Sequence, residues 1–231
     1  MKPLINNNSD MIPTHTTSLP KLLQLPLELR QQIYSHLCPA SPISNPIPTV
    51  GITSVSHAPP PVSFLLTSRA VYSDLLPYFF SIATWKLIAS HAFNFYRIDP
   101  TLSNFAASFL LHKIQKVELV LWFDGSLLKS YPSLKTQTYC MEIRKRATRT
   151  CEILAAAPEL RTLTVSWIDS TVEEAMEEKR DVLDALRRLD VNVMIEVGVL
   201  EWSGAQAGHD KERFEGKMKG FIRDARPVAA L

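Results

Sequence analysis

The chain has 231 residues, of which 46% are hydrophobic and 21% charged, as in an ordinary globular protein. Its net charge of +2 is too small to indicate a nucleic acid or an anionic membrane as partner. Three cysteines leave one unpaired, which favours a reducing intracellular compartment, cytoplasm or nucleus, over a secreted disulfide scaffold. No stretch has the length of a signal peptide's apolar run or approaches the roughly 18 apolar residues of a membrane helix, so we expect no membrane contact.

The N-terminal part is organised around residues 25–37, whose sequence is LPLELRQQIYSHL. Pro26 suits a helix start because its missing N–H has no partner there in any case. Leu29, Ile33 and Leu37 recur every four residues, which predicts one apolar stripe on an α-helix. The stripe is either the inner face of a core helix or a surface that docks a partner protein. Residues 1–18 are polar and without pattern, so they predict a disordered tail.

The next segment, residues 38–61, contains seven prolines and otherwise mostly small side chains. Such a segment cannot sustain a helix, so it predicts a long irregular loop or tether. A helical pattern resumes at Val62, and Pro77 is expected to end or kink that helix. The aromatic run at 78–80 is expected to be largely buried, and the alternation at 84–88 predicts a short strand.

The remainder alternates between helical and strand patterns, which predicts parallel neighbouring strands with right-handed crossovers. Helices are predicted at 90–97, 101–112, 134–157 and 211–222, and a further helix is predicted to begin at a capping box formed by Ser170 and Glu173 and to end at Leu189. A loop is predicted at 125–133, and strands are predicted at 113–124, 160–169 and 191–199. Residues 116–124 and 161–169 share a basic residue, a Trp and an Asp at the same spacing, 45 positions apart. This echo favours stacked helix–strand units of the leucine-rich kind, and a small open α/β layer fits it as well.

A search for catalytic patterns finds no glycine-rich phosphate loop, no zinc-binding His pair on a helix and no Gly-x-Ser-x-Gly turn. The six histidines are scattered singly and have no metal-ligating neighbours at a useful spacing. Cys140 and Cys151 fall on one predicted helical stripe, about 16 Å apart at 1.5 Å per residue, which is too far to share a metal. We therefore expect no catalytic residues, no cofactor and no metal, and the chain is not expected to be an enzyme.

Three further clusters have ordinary structural interpretations. The acidic stretch 173–180, which includes Lys179, has the spacing of a solvated helix surface rather than of acid–base catalysts. The cations of 144–149 form the wet side of one helix, which is a weak nucleic-acid signal. Trp122 and Trp167 are expected to pack between strand and helix in preference to lining a ligand surface.

Two blocks of the sequence resemble a known family. Residues 25–37 resemble the start of an F-box, whose pattern is Leu-Pro-x-Glu-Leu, a short spacer and then Ile followed by an aromatic residue. Residues 65–77, LLTSRAVYSDLLP, resemble the second half of fungal F-box-like domains, in which aromatic residues and a short strand follow. Here 78–80 and 84–86 occupy those places, so the resemblance covers residues 19–89.

The resemblance implies a helical, non-enzymatic adaptor. F-box helices bind the Skp-family linker of cullin–RING ubiquitin ligases, while the C-terminal part of the adaptor presents a protein substrate, whose identity the sequence does not give. Transferred by position, the linker-facing set is Leu25, Pro26, Leu27, Leu29, Ile33 and Leu37. A few aliphatic anchors of this kind, each contributing about 1.5–3 kcal/mol on full burial, can dominate an interface. The alternative is a self-contained structural or interaction protein that keeps the F-box-like helix as part of its own core.

The expected fold is mixed α/β, with F-box-like helices packed on a small leucine-rich-repeat-like layer of about three mainly parallel strands. The expected division is a tail at 1–18, an F-box-like domain at 19–89 with its Pro-rich insert at 38–61, a helix–strand recognition domain at 90–200, and a C-terminal helix and tail at 201–231.

Overall fold

The computed structural model of the protein describes residues 21–90, 100–131, 133–171, 176–203 and 209–225. The tail expected at 1–18 lies outside these residues, and so does the helical piece expected at 90–97, apart from Ser90. The described chain is mixed α/β, as the sequence predicts, and contains a six-stranded sheet in which most strands run parallel.

The strands lie in the sheet in the order in which they occur along the chain. They are β1 Ile43–Ser44, β2 Ser54–Val55, β3 Thr84–Ser90, β4 Lys116–Phe123, β5 Thr162–Asp169 and β6 Met194–Trp202. The pairs β1–β2 and β2–β3 are antiparallel, whereas β3 to β6 are parallel. The expectation of about three strands was too small, because β3 and the β1–β2 hairpin extend the layer. One sheet therefore runs across the boundary expected near residue 89.

Helices connect the parallel strands. They are α1 Leu27–Leu37, α2 Val62–Leu65, α3 Arg69–Ile82, α4 Pro100–Ala106, α5 Gly125–Ser130, α6 Thr136–Ala155, α7 Met176–Arg180 and α8 His209–Asp224. Short 3-10 helices lie at Lys21–Gln24, Pro48–Val50, Phe109–His112 and Asp181–Arg188. Right-handed crossovers between strands that follow one another in sequential order place all the connecting helices on one face of the sheet.

The core lies between that face and the helices. Alternate residues of β4 and β5 are buried there, and the ring centroids of Phe123 and Trp167 are 4.5 Å apart. The stripe predicted for the long helix is confirmed on α6, where these positions are all buried: Cys140, Ile143, Ala147, Cys151 and Leu154. The strands predicted at 113–124, 160–169 and 191–199 are confirmed as β4, β5 and β6, and the terminal helix as α8.

The Pro-rich segment 38–61 is mostly irregular, as its composition predicted, but it is not a free tether. It forms the β1–β2 hairpin, which pairs with β3. Between its prolines, Val50, Ile52 and Val55 are buried in the core. The prolines prevent a helix, but the intervening β-branched residues have a strand edge to pair with and a core to enter, which sequence composition does not reveal.

Two helix limits differ from expectation. Pro77 does not end its helix, since α3 continues to Ile82 and buries Phe79 and Phe80 beyond the proline. The aromatic run is therefore largely buried, as expected. Residues 125–130, expected as loop, form α5, because the Asp124 carboxylate accepts a bond from the backbone N–H of Ser126 and caps the helix.

The capping box expected at Ser170 is replaced by a different contact. Its hydroxyl accepts a bond from the Gly125 N–H at 2.8 Å and so joins the ends of β4 and β5. Glu173 lies outside the described residues. The single helix expected at 101–112 is divided into α4 and a 3-10 helix, and Phe109, expected on its apolar face, is 66% exposed.

The 45-residue echo does not correspond to structural equivalence. In the parallel pairing of β4 with β5, Leu121 lies opposite Trp167 and Trp122 lies opposite Ile168, an offset of 46 residues (167 − 121). A slip of one residue reverses the face to which every side chain points. Consequently Trp167 is 0% exposed among the helices, whereas Trp122 lies on the other face and is 41% exposed.

Candidate docking site

The candidate site is built on α1. Pro26 lies immediately before the first helical residue, with φ −52° and ψ 151°, and its carbonyl accepts the N–H of Arg30 at 3.1 Å. Glu28 lies in the first turn, where a carboxylate complements the positive end of the helix dipole. These local features begin the helix where the sequence predicts, without side-chain capping.

A polar anchor fixes the inner side of α1 to α3. Tyr34 is 1% exposed, and its hydroxyl donates to Asp74 Oδ2 at 2.6 Å. The Arg30 guanidinium contacts the same carboxylate oxygen at 2.6 Å, and the rings of Tyr34 and Tyr78 lie 5.6 Å apart. Burial, together with the bond to Asp74, raises the pKa of the Tyr34 phenol to about 12. Residues 25–37 and 65–77 are therefore in direct contact through this carboxylate.

The aliphatic side chains of α1 are turned to solvent instead. Among the described residues of α1 only Tyr34 is buried. The exposed fractions are 37% for Leu25, 49% for Leu27, 45% for Leu29 and 38% for Ile33. Of the six residues assigned to the linker-facing set, these four and Pro26 are exposed, whereas Leu37 is partly buried against the core. The predicted stripe of Leu29, Ile33 and Leu37 thus runs from solvent to core.

Aliphatic side chains supply contact area and cannot transfer protons or ligate a metal. Exposed Leu and Ile side chains are common singly on protein surfaces. Leu27 lies seven residues before Tyr34 and therefore toward the anchored side of α1, whereas Leu29 and Ile33, four residues apart, share another side and form a small exposed apolar surface. The polar anchor behind them holds the helix in place without using these side chains. This arrangement can bind another apolar surface.

A second cluster, which sequence reasoning missed, lies at the carboxyl end of β5. Lys179, expected on a solvated helix face, is 0% exposed, and its Nζ lies 2.8 Å from Asp169 Oδ2. The ammonium also donates to Thr171 Oγ1 at 2.6 Å, and Thr171 donates its N–H and hydroxyl to the other Asp169 oxygen. The Lys179 side chain is buried against Asp169 and Thr171, so the pair ties α7 to the sheet.

The other candidates from the sequence have structural partners. Arg144 pairs with Asp184 at 3.0 Å, and Arg149 pairs with Glu152 at 3.5 Å, so carboxylates offset the basic side of α6. Cys140 and Cys151 are buried free thiols, and burial raises their pKa values to about 11 and about 12. Among the described residues, no group of three or more His, Cys, Asp or Glu side chains is placed to hold a metal ion.

Comparison with known proteins adds no relative. No protein-family model matches the chain, and neither a curated protein nor a solved structure matches it. Within the ranges that the structure describes, no helix is long and apolar enough to cross a membrane.

Proposed function

We propose that the protein is a non-enzymatic adaptor whose α1 surface binds a Skp-family linker protein of a cullin–RING ubiquitin ligase. The observation that carries the proposal is the exposure of Leu29 and Ile33 on a side of α1 that does not face the Tyr34 anchor, with Leu25 and Leu27 exposed at the start of the helix. The docking set consists of Leu25, Pro26, Leu27, Leu29, Ile33 and Leu37, with Leu37 contributing from its exposed part. The partner class comes from the F-box resemblance of residues 25–37 and 65–77.

The second block supports the proposal through its local structure. Ser68, which stands where the family often has Cys, begins α3 by accepting the Val71 N–H at 3.1 Å. The helix then carries Asp74 to the inner side of α1. A folded pair of helices, rather than an isolated amphipathic segment, therefore presents the aliphatic surface.

Burial of these side chains supplies part of the free energy of binding. Fully burying a Leu or Ile side chain contributes about 1.5–3 kcal/mol. Four side chains that are 37–49% exposed retain somewhat under half of that, or roughly 1 kcal/mol each. About 4 kcal/mol corresponds to a dissociation constant of roughly 1 mM, so a specific complex also needs the contacts around these anchors.

In this proposal the parallel sheet and its helices form the recognition part of the adaptor, and the helix–strand units are leucine-rich-repeat-like. Two observations favour this: the parallel strands follow sequential order, and the connecting helices lie on one face. Stacked units of this type offer the other face of the sheet to a partner.

A pull-down with a purified Skp-family linker tests the proposal. We expect the wild-type chain to be retained and Leu29→Asp/Ile33→Asp to lose retention, because two charges would be buried in an apolar interface. The matched control is Met141→Asp/Val191→Asp, which alters two apolar side chains of similar exposure, 47% and 52%, outside α1. The control is expected to bind as the wild type does.

The second candidate function is a self-contained interaction protein whose F-box-like helix belongs to its own core. It is favoured by the continuous core, which includes both Tyr34 and Met218, and by the sheet that spans both halves. Far-UV circular dichroism of the Leu29→Asp/Ile33→Asp variant separates the two candidates. Loss of the fold would assign these residues to the core, and failure of the folded wild type to bind any linker would reject the adaptor.

A further inference from the structure

Among the described residues, the face of the sheet opposite the helices carries no helix and is chemically distinct. Positions of this face lie side by side in the strand register: Lys86, Glu118, Thr164 and Glu196 in one row, and Ser90, Trp122, Ile168 and Glu201 in another. Parallel sheets normally have both faces covered, and their strands are then almost entirely apolar. Here the alternate positions carry Thr, Lys, Glu and Ser, as on a surface that meets solvent or a partner.

A line of polar contacts crosses this open face from β3 to β6. Lys86 Nζ lies 3.0 Å from Glu118 Oε2, and Ser166 Oγ donates to Glu118 Oε1 at 2.7 Å. The backbone N–H of Val199 donates to the same Ser166 oxygen at 3.0 Å, at the irregularity in β6. These contacts fix the side chains of the open face before any partner arrives, which lowers the entropic cost of binding.

Apolar side chains occupy the carboxyl-terminal half of the same face. Val120 lies two residues before Trp122 on β4. Val120 lies opposite Ile88 of β3, and Trp122 lies opposite Ile168 of β5. Val120 is buried at its centre, while Trp122 is 41% exposed. An exposed Trp fixed on a strand is the type of side chain that most often dominates a protein interface. We call this set, Ile88, Val120, Trp122 and Ile168, the apolar strip.

The side of the apolar strip next to β6 is acidic. Glu196 and Glu201 point to the open face and are exposed, and no cation among the described residues pairs with either. The cations of the open face are Lys86, which Glu118 neutralises, and Lys116, which lies six residues before Trp122 at the amino end of β4. The β6 edge of the open face, two strands from Trp122, therefore carries unpaired carboxylates.

We propose that the open face binds a basic segment of a partner protein, with aliphatic or aromatic side chains on the apolar strip and Lys or Arg side chains on Glu196 and Glu201. The chemistry that selects this occupant is the combination of an exposed Trp on β4 with two unpaired carboxylates on β6, two strands away. This inference rests on the recognition role proposed above for the sheet and names the partner chemistry of β3–β6, but it does not depend on whether α1 binds a linker.

Selection from a phage-displayed library of random peptides against the full chain tests this inference. We expect enrichment of peptides that combine Lys or Arg with large apolar residues. Synthesised peptides from the selection are then titrated by fluorescence anisotropy. Trp122→Ala and Glu196→Lys/Glu201→Lys are each expected to weaken binding by about tenfold or more, and added salt should weaken the wild-type complex.

The matched control for charge is Glu28→Lys/Glu212→Lys, which makes the same change in net charge away from the open face and should bind as the wild type does. Circular dichroism checks that each variant is folded. The inference is overturned if no basic, apolar peptides are enriched, or if the enriched peptides bind Glu196→Lys/Glu201→Lys as tightly as the wild type. It is also overturned if sedimentation shows a dimer that Trp122→Ala dissociates, since a second copy would then cover the face.

Discussion

Replacement of Lys179 by Met tests the buried ion pair. Methionine keeps the length of the side chain, so the change removes the ammonium and leaves the Asp169 carboxylate 1% exposed. Removing one partner of a buried pair costs about 3–5 kcal/mol, because the remaining charge lacks compensation. Two bonds from Thr171 still reach Asp169, which favours the lower end of that range.

The cost converts to a shift in melting temperature. At about 2.1 cal/mol/K per residue, unfolding of the whole chain has an entropy of roughly 0.5 kcal/mol/K, so about 3–5 kcal/mol lowers Tm by about 6–10 °C. Differential scanning calorimetry measures this, with Arg149→Met as control. Arg149 belongs to an exposed pair, whose loss costs about 0–1 kcal/mol. A Tm for Lys179→Met that equals that of Arg149→Met would refute the burial of this lysine.

Two further predictions concern stability. Tyr34→Phe removes the bond to Asp74 and should cost about 0.5–1.5 kcal/mol by urea unfolding. Folding raises the pKa of the Tyr34 phenol from 10.0 to about 12. The wild type therefore has the full contribution of the protonated phenol to its stability below pH 10 and loses it as the pH rises through about 12. Tyr34→Phe should lack this part of the alkaline destabilisation, and an unchanged pH profile would contradict the assignment. Gly125→Ala should destabilise the fold by about 1–3 kcal/mol, because the new Cβ overlaps the backbone of Ser170. Gly216→Ala, at an exposed position of α8 where the new Cβ meets no atom, should stabilise it by about 0.5–1 kcal/mol. Equal melting temperatures of the two variants would contradict the close approach of Gly125 to Ser170.

Local sequence patterns correctly predicted the strands and helices that pack against a single layer of the fold. The β-branched and aromatic runs became β4, β5 and β6, and the steps of three and four in 134–157 became the buried stripe of α6. These segments bury one defined side against the same layer along their whole length. Periodicity then suffices, because the side chains that it groups share one environment.

Burial that depends on distant residues was not predictable from pattern. Lys179 stands in a run of acidic residues and reads as surface, yet Asp169, ten residues earlier, draws it into the core. Similarly, the equivalent tryptophans of the echo separate to opposite faces because strand pairing follows an offset one residue longer. Register is set by all the side chains of both strands, and a Trp and an Asp at matching positions do not determine it.

The candidate site was predictable as a helix but not in its orientation. The sequence shows an apolar stripe on the helix, but it does not show whether that stripe faces the core or the solvent. The orientation is set by Tyr34 and Asp74, which are 40 residues apart in the chain and bond at 2.6 Å. Since Tyr34 takes the inner position, Leu29 and Ile33 remain at the surface.

Amide hydrogen exchange of the full chain, with and without a saturating amount of a purified Skp-family linker, tests the docking proposal most directly. We expect the linker to slow exchange at residues 25–37 and to leave the amides of β4 and β5 unchanged. The Leu29→Asp/Ile33→Asp variant should show no such protection while it exchanges as the wild type does elsewhere. Unchanged exchange at 25–37 in the wild type, or protection that the variant retains, would contradict the docking of a linker on α1.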